Sequence, residues 1–351
     1  MHVPDGFINA PVSAATGVVA AGAIAVSLRG ARRELDERTA PLAGLVAAFI
    51  FAVQMLNFPV AAGTSGHLLG GALAAILVGP YTGMLCVSVV LLMQGILFAD
   101  GGLTALGVNI TDMAIVTTVV AYAVFRGLVK VMPRTRRSVT VATFVAALLS
   151  VPAAALAFTA IYALGGTTDV SLAKVATAMI GVHVLIGIGE AAITALTVGA
   201  VIAVRPDLVY GARGLRQRLK LRVGGELVDA PTPVTTPVAA RTSRRRLWIT
   251  GLVTSLVLAG FVSFYASASP DGLEKVAHDQ GIDQKAKEHA SSGSPLADYG
   301  VKDIQDARLS GGLAGVIGVG VTVVAGSAVF WAVRRRRSDD VSPASTTVEN
   351  V

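Results

Sequence analysis

The apolar residues of this chain are gathered into long runs that short polar segments separate. A helix needs roughly 20 mostly apolar residues to cross the ~30 Å hydrocarbon core of a membrane. Nine runs approach this length, although the third is short: residues 8–28, 40–60, 68–79, 81–98, 103–126, 139–163, 174–204, 247–267 and 311–333. The pattern predicts an all-α integral membrane protein with about nine membrane segments.

The third and fourth runs are separated by the turn sequence "GPYTG" at residues 79–83. Glycine and proline interrupt helices, so two helices are expected here rather than one long helix. The composition agrees with a location in lipid, because 53% of the residues are hydrophobic and only 15% are charged. We therefore expect a multi-pass protein of the cell membrane.

Basic residues collect beside alternate membrane segments. Clusters follow the first segment at residues 29–33, the fifth segment at residues 126–137 and the last segment, where "RRRR" occupies residues 334–337. Basic loops that adjoin membrane helices remain cytoplasmic, so the amino terminus is predicted outside and the carboxyl terminus inside. Nucleic-acid binding is the alternative explanation of these clusters, and their position next to membrane segments disfavours it.

The order of the segments divides the chain into four parts. Residues 1–204 contain seven predicted membrane segments joined by short outer loops. Residues 205–246 are basic and then rich in Pro and Thr, which is typical of an extended, solvated linker. Residues 247–333 form a predicted two-helix hairpin with a polar outer loop, and residues 334–351 form a cytoplasmic tail. This organisation indicates a fusion of two once separate membrane proteins.

The opening sequence "MHVPDGF" places a histidine directly after the amino-terminal residue. The Met1 amine, the deprotonated His2 amide and the His2 imidazole can bind one metal ion in a five-membered and a six-membered ring. An imidazole from His67, in the loop "NFPVAAGTSGHLLGG", would supply a fourth nitrogen. Planar nitrogen coordination favours Ni(II) or Cu(II), with Co(II) as a further candidate. The simpler alternative for His67 is a histidine at a helix start that bonds to a neighbouring carbonyl.

Four blocks of sequence resemble the CbiM/NikM substrate-capture subunits of energy-coupling-factor cobalt and nickel transporters. They are "MHVPDGF" at 1–7, "NFPVAAGTSGHLLGG" at 57–71, "GILFADGGLTALGVNI" at 95–110 and "HVLIGIGEAAIT" at 183–194. "SPDGLEKVA" at 269–277 is similar to the PDGLE signature of the small CbiN/NikN companion. The resemblance implies that Met1, His2 and His67 hold Co²⁺ or Ni²⁺ as the transported ligand. It also implies that a transmembrane coupling (T) subunit and ATPase (A) subunits are the partners.

Several polar residues lie at membrane depth in the predicted segments, where such groups usually face the interior of a helix bundle. Asn109 and Asp112 lie in the fifth segment, and Asp112 stands where the resembled family has an amide. This change leaves the choice between cobalt and nickel open. His183 and Glu190 are seven residues apart in the seventh segment, so they share one helix face. We interpret these four as groups that orient the ligands, with ordinary interhelical hydrogen bonding as the alternative.

The outer loops contain further candidates. Asp100 in "FADGG" is expected to be either a turn residue or a guide for cations at the outer mouth. His278 and His289 lie in the polar loop of the hairpin and are expected to be solvated, with weak metal gathering as the alternative. We call residues 1–204 the first unit. We expect residues 247–351 to support the loading of the ion into the first unit, or the conformation of that unit, and not to hold the ion.

The sequence contains neither a G-x-x-x-x-G-K-[ST] phosphate loop nor an H-E-x-x-H motif, so we expect a transport component and not an enzyme. Small residues at Gly17, Ala21 and Ala25 form a stripe on the first helix that could dock the coupling subunit. Two other functions stay open. One is a secondary transporter of divalent cations that uses Asp112 and Glu190, and the other is a membrane anchor without a ligand.

Overall fold

The structure, a computed structural model, describes residues 1–35, 40–61, 63–215, 220–223, 226–229 and 244–339. Its α-helices are α1 (Ala10–Glu34), α2 (Ala40–Gln54), α3 (Gly71–Val78), α4 (Pro80–Leu97), α5 (Leu106–Asn109), α6 (Thr117–Val131), α7 (Arg136–Gly165), α8 (Leu172–Val204), α9 (Arg244–Gly260), α10 (Gly272–Gln280) and α11 (Ala307–Asp339). A π-helical turn, Ile110–Val116, joins α5 to α6. The strands β1 (Phe58–Ala61) and β2 (Thr64–Gly66) form one antiparallel pair, and β3 (Lys220–Val223) and β4 (Glu226–Asp229) form another.

Seven helical stretches of the described residues are long and apolar enough to cross a membrane, which confirms a multi-pass helical membrane protein. Seven of the nine predicted segments correspond to these stretches. The other two are shorter, because α2 has 15 residues and α3 has 8. At 1.5 Å per residue α3 is about 12 Å long, less than half of the hydrocarbon core. Every residue of α3 is buried, and burial inside protein selects the same apolar residues as exposure to lipid does.

The predicted break at "GPYTG" is confirmed, because α3 ends at Val78 and α4 begins at Pro80. Gly79 joins them with a φ of 105°, a conformation that glycine adopts without steric cost. The Glu34 carboxylate at the end of α1 then accepts hydrogen bonds from Thr82 N and Thr82 Oγ1, both at 2.8 Å. A carboxylate at the amino end of α4 complements the helix dipole and anchors the turn.

The loop between α2 and α3 folds inward. β1 and β2 pair within it, and all three residues of β2 are buried. The Gln54 amide donates to the Leu69 carbonyl at 2.9 Å. The Glu190 carboxylate on α8 accepts Leu69 N at 2.7 Å and Gly70 N at 3.1 Å. These bonds hold the end of the loop against α2 and α8 and bury His67.

The hairpin packs directly on the first unit. α11 crosses α2 closely, because a Cβ atom built on Gly44 would lie 2.5 Å from Ser327 Oγ. α10 lies against α8, where a Cβ atom on Gly272 would lie 2.8 Å from Ile186 Cδ1. Small residues therefore allow both contacts, as is usual between helices in lipid.

The predicted linker is only partly described. Leu208, Val209 and Ala212 are buried, so packing of the first unit continues past the predicted boundary at residue 204. β3 and β4 lie within the segment that is expected to be extended. Residues 216–219, 224–225 and 230–243 of the linker and residues 340–351 of the tail lie outside the described residues.

Candidate metal centre

The first residues of the chain form a buried, irregular segment that precedes α1. α1 begins only at Ala10, where the Asn9 side chain accepts a hydrogen bond from Val12 N. The Asp5 carboxylate accepts hydrogen bonds from Leu103 N and Thr104 N at 3.2 and 2.8 Å. The "VPDG" turn is therefore anchored to the loop before α5, and the Met1 side chain is buried.

Asn109 holds the backbone next to the amino terminus. Its Oδ1 accepts Val3 N at 2.7 Å and its Nδ2 donates to the Val3 carbonyl at 3.2 Å. One side chain thus satisfies both backbone groups of a buried residue, as buried amides require. The arrangement fixes the position of the two residues that precede Val3.

The Met1 amine and the His67 imidazole meet in the buried site. The amine donates to His67 Nε2 across 2.7 Å, although 66 residues separate the two. His67 Nδ1–H donates to the Leu68 carbonyl at 3.1 Å, which leaves the lone pair on Nε2 directed at the amine. The simple alternative for His67, a bond to a neighbouring carbonyl, is thus present, and it orients the ring toward Met1.

His2 lies beside these groups. Its ring stacks on that of His67 with centroids 5.1 Å apart and an interplanar angle of 17°. Its Nε2 lies 3.1 Å from Gln94 Oε1, and its Nδ1 lies 3.2 Å from Asp100 Oδ1. Burial lowers the pKa of His2 to about 4, and this effect outweighs the opposing charge of Asp100. The imidazole is therefore neutral at neutral pH and has a lone pair for a metal ion.

A carboxylate from the hairpin, Asp271, completes the cluster. Its Oδ2 lies 2.5 Å from Met1 N and 3.3 Å from His67 Nε2. Burial favours the protonated form, but the Met1 ammonium group and His67 outweigh it and hold the pKa of Asp271 well below its usual range. Donor atoms of His2, His67 and Asp271 all lie within 4.8 Å of one another, close enough to hold one metal ion.

Sequence reasoning missed Asp271. The only available signal is its place in "SPDGLEKVA", which identifies the companion domain and says nothing of where the carboxylate points. The side chain also begins α10, because Asp271 Oδ1 accepts Glu274 N while the Glu274 side chain accepts Asp271 N. This reciprocal capping accounts for one carboxylate oxygen and leaves the other for the cluster.

The four polar candidates of the membrane segments differ in whether they contact the backbone near the cluster. Asn109 and Glu190 hold backbone next to Met1 and His67, as described above. His183 instead donates from Nδ1 to the Met179 carbonyl at 2.8 Å and packs under Gly272. Asp112 is buried, and neither of its carboxylate oxygens has a hydrogen-bond partner in the described part of the chain.

The outer-loop candidates have separate positions. Asp100 does more than form a turn, because Tyr299 Oη donates to its Oδ2 at 2.5 Å while His2 meets its Oδ1. His289 Nε2 donates to the Gly101 carbonyl at 3.1 Å. His278 is exposed, and its Nδ1 lies 3.0 Å from Asp283 Oδ2.

A cavity of about 700 Å³ borders the cluster and is lined by residues of both units. His2, His67 and Asp271 form part of its wall, together with Asp100 and Glu274. Several carboxylates therefore line the same cavity as the cluster, which makes the potential there favourable for cations.

Comparisons with known proteins agree with this architecture. Residues 2–208 match the family model CbiM, described as the cobalt uptake substrate-specific transmembrane region, and residues 245–335 match the PDGLE domain. A putative metal transport protein of Haloquadratum walsbyi is 38% identical over 210 residues, which cover 60% of this chain and 94% of the relative. A putative fused nickel transport protein NikMN of Archaeoglobus fulgidus is 40% identical over 211 residues, which cover 60% of this chain and 68% of the relative.

Among solved structures, a crystal structure of a truncated transition metal transporter is similar. It is 27% identical with a TM-score of 0.51, and the match covers 58% of this chain and 99% of that structure. The fused arrangement predicted from the sequence is confirmed by the two family matches. The chain therefore belongs to the CbiM family of cobalt uptake substrate-specific transmembrane proteins, with a PDGLE domain fused behind it.

Proposed function

We propose that this protein is the substrate-specific (S) component of an ATP-driven energy-coupling-factor importer for divalent cobalt or nickel. The ion is the cargo and is held by the Met1 amine, the His2 amide, the His2 imidazole and His67. The observation that carries this proposal is the 2.7 Å separation of Met1 N and His67 Nε2 in a buried site. Two donors at right angles on metal–nitrogen bonds of about 2.0–2.1 Å are separated by about 2.9 Å.

The remaining donors follow from the chain itself. The His2 amide and Nδ1 continue from the Met1 amine in two fused chelate rings, so the amine and His67 occupy adjacent corners of a plane. Binding at His2 Nδ1 replaces its contact with Asp100. Asn109 and Glu190 keep the two halves of the site in place, because each holds backbone next to a donor. Such positioning groups commonly change metal affinity by about 10–100-fold.

The binding half of this proposal is tested by acetylating the amino terminus. Acetylation removes the basic amine of Met1 as a donor and leaves every side chain in place. We expect the purified protein to lose high-affinity binding of Ni(II) and Co(II). His2→Ala and His67→Ala are expected to have the same effect in protein that still inserts into the membrane. Equal binding by the acetylated and the native protein would refute the four-nitrogen site.

The transport half is tested by reconstitution. Uptake of radioactive Ni(II) or Co(II) is expected only when ATPase and coupling subunits are present, because the sequence lacks a phosphate loop. We place the coupling subunit against α1, where Ala21 and Ala25 are exposed next to Gly17. Uptake that needs only a proton gradient would instead support the secondary transporter. Metal analysis of protein purified from cells supplied with both ions decides between nickel and cobalt.

A further inference from the structure

We propose that Asp271 of the hairpin is a fifth, axial ligand of the transported ion, so that the PDGLE domain completes the metal site. This inference rests on the proposed function, because it adds one oxygen to the four nitrogens. It changes the role of the hairpin from a support of the first unit to a part of the site.

The three distances around Asp271 Oδ2 carry the argument. The oxygen lies 2.5 Å from Met1 N and 3.3 Å from His67 Nε2, and the two nitrogens are 2.7 Å apart. These values lie on both sides of the roughly 2.9 Å that separates adjacent donors on one ion. The oxygen is therefore adjacent to two neighbouring corners of the nitrogen plane. Since all four corners of that plane are taken, the oxygen belongs on the axis.

The backbone holds this carboxylate in register with His67. Ser65 N donates to the Pro270 carbonyl at 2.8 Å, and Ser65 Oγ donates to the Ser269 carbonyl at 2.7 Å. Ser65 and His67 are two residues apart, and Pro270 directly precedes Asp271. One segment thus carries His67 and the other carries Asp271. The hydrogen bonds between the two segments fix the distance from the imidazole to the carboxylate.

Helix capping leaves the second oxygen free to bind. Asp271 Oδ1 accepts Glu274 N at 3.0 Å, so the rotation of the carboxylate is fixed by the start of α10. Gly272 lets α10 approach α8, because a Cβ atom there would lie 2.8 Å from Ile186 Cδ1 and 3.2 Å from His183 Cε1. Oδ2 consequently points at the amine and the imidazole.

A carboxylate at this position also balances charge. A divalent ion bound through one deprotonated amide retains a single net positive charge, and an unbalanced buried charge is costly. The Asp271 carboxylate neutralises that charge inside the site. An ion thus gains both a fifth donor and a neutral environment when the hairpin is in contact.

The test uses the purified full chain with Co(II) or Ni(II) as the probe. Asp271→Asn removes the charge but keeps a residue that caps helices as well as Asp does. Glu274→Gln is the matched control, because it changes a carboxylate of the same cavity and the same capping box that does not touch Met1. We expect the affinity of Asp271→Asn to fall at least about tenfold and that of Glu274→Gln to change less than about threefold.

A second variant tests direct contact. Asp271→Cys places sulfur near the ion, and the shorter side chain is partly offset by metal–sulfur bonds of about 2.3 Å. We expect a sulfur-to-metal charge-transfer band when Co(II) is added, and none in Glu274→Cys. The only native cysteine, Cys86, is buried against the Ala43 carbonyl and is present in both variants.

The outcomes are distinct. A charge-transfer band in Asp271→Cys with weaker binding in Asp271→Asn supports the axial ligand. Unchanged affinity in Asp271→Asn, or weaker binding without a band in Asp271→Cys, overturns it. Failure of the proposed function appears elsewhere, as binding that survives acetylation of the amino terminus. A protein that loses binding on acetylation, but whose affinity is unchanged by substitution of Asp271, has the four-nitrogen site without the fifth ligand.

Discussion

The Glu190 carboxylate on α8 accepts a hydrogen bond from Leu69 N at 2.7 Å, two residues beyond His67. A second bond from Gly70 N at 3.1 Å makes the carboxylate a clamp on the end of the inward loop. The position of the His67 imidazole therefore depends on a side chain that need not touch the ion.

Replacement of this clamp is expected to weaken metal binding. Glu190→Gln turns one acceptor oxygen into an NH₂ group that faces a backbone N–H, so the loop end is released. We expect a loss of about tenfold or more in affinity for Ni(II), measured by competition with a chromophoric chelator. Glu34→Gln is the control, because Glu34 also accepts backbone N–H groups but does so at the start of α4. It should lower thermal stability and leave affinity unchanged, and equal loss in both variants would contradict the prediction.

Asn109 provides a second positioning group. Asn109→Leu leaves the buried N–H of Val3 unpaired, at a cost of about 1–3 kcal/mol, while the Val3 carbonyl keeps its hydrogen bond from Gly102 N at 2.9 Å. We expect the amino-terminal segment around Val3 to shift and the affinity for Ni(II) to fall about tenfold. Thr111→Val is the control, because the Thr111 hydroxyl bonds only to the Gly107 carbonyl within its own helix. A normal affinity in Asn109→Leu would show that Met1 and His2 keep their positions without the Asn109 side chain.

Close packing of α10 on α8 is expected to affect the site through Asp271. Gly272→Ala adds a Cβ atom that meets Ile186, Val182 and His183 within 3.2 Å, so α10 must move away from α8. We expect affinity for Co(II) to fall severalfold, as overpacking displaces the carboxylate. Gly293→Ala adds the same atom in open space elsewhere between α9 and α11 and should have no effect. Identical affinities of the two variants would show that the position of α10 is unimportant.

The buried histidine at position 2 predicts a pH dependence of stability. Its pKa is lowered from 6.5 to about 4, so below pH 6.5 the unfolded chain binds a proton that the folded chain does not. Stability is thus fully present above pH 6.5 and falls as the pH approaches 4, by up to about 3 kcal/mol. We expect the melting temperature to decrease between pH 7 and pH 5, and this decrease to be smaller in His2→Gln. His278→Gln, at an exposed position, should behave as the native protein does; an unchanged profile in His2→Gln would refute the assignment.

Acid should also weaken binding itself. The ion must displace protons from the amine and the His2 amide, so metal affinity is linked to pH. We expect the dissociation constant for Ni(II) to rise on acidification, as measured by competition at several pH values. Protein with an acetylated amino terminus is the comparison, because without the amine donor its remaining weak binding should depend less steeply on pH. Binding that is independent of pH would argue against coordination through the backbone amide.

Hydrophobic pattern alone predicted most of the fold. Runs near 20 residues identified the long helices, and Gly and Pro located the break between α3 and α4. The lengths of α2 and α3 were not predictable in this way, because both helices are covered by protein. A segment surrounded by other helices has the same apolar composition as one that faces lipid.

Only the part of the candidate site that consists of adjacent residues could be predicted from the sequence alone. Met1 and His2 can form a chelate through adjacent atoms, so the role proposed for them could be inferred from the order of residues. His67 was a candidate for the fourth nitrogen with a simpler alternative beside it, and the resemblance to a family favoured the metal ligand, since nothing in its own loop shows which group the imidazole contacts. Asp271 is 270 residues from Met1, and its proximity depends on how α10 packs on α8.

The hydrogen bond from Ser65 N to the Pro270 carbonyl joins the first unit to the hairpin. If the two units were separate chains, they would have to meet by diffusion before this contact could form. Covalent fusion converts this association into an intramolecular event governed by an effective concentration that the length of the connection sets. Each molecule carries one CbiM unit and one hairpin, so the stoichiometry of the two is fixed whatever the level of expression. Dilution should therefore leave their contact intact, whereas the same contact between unlinked chains would dissociate.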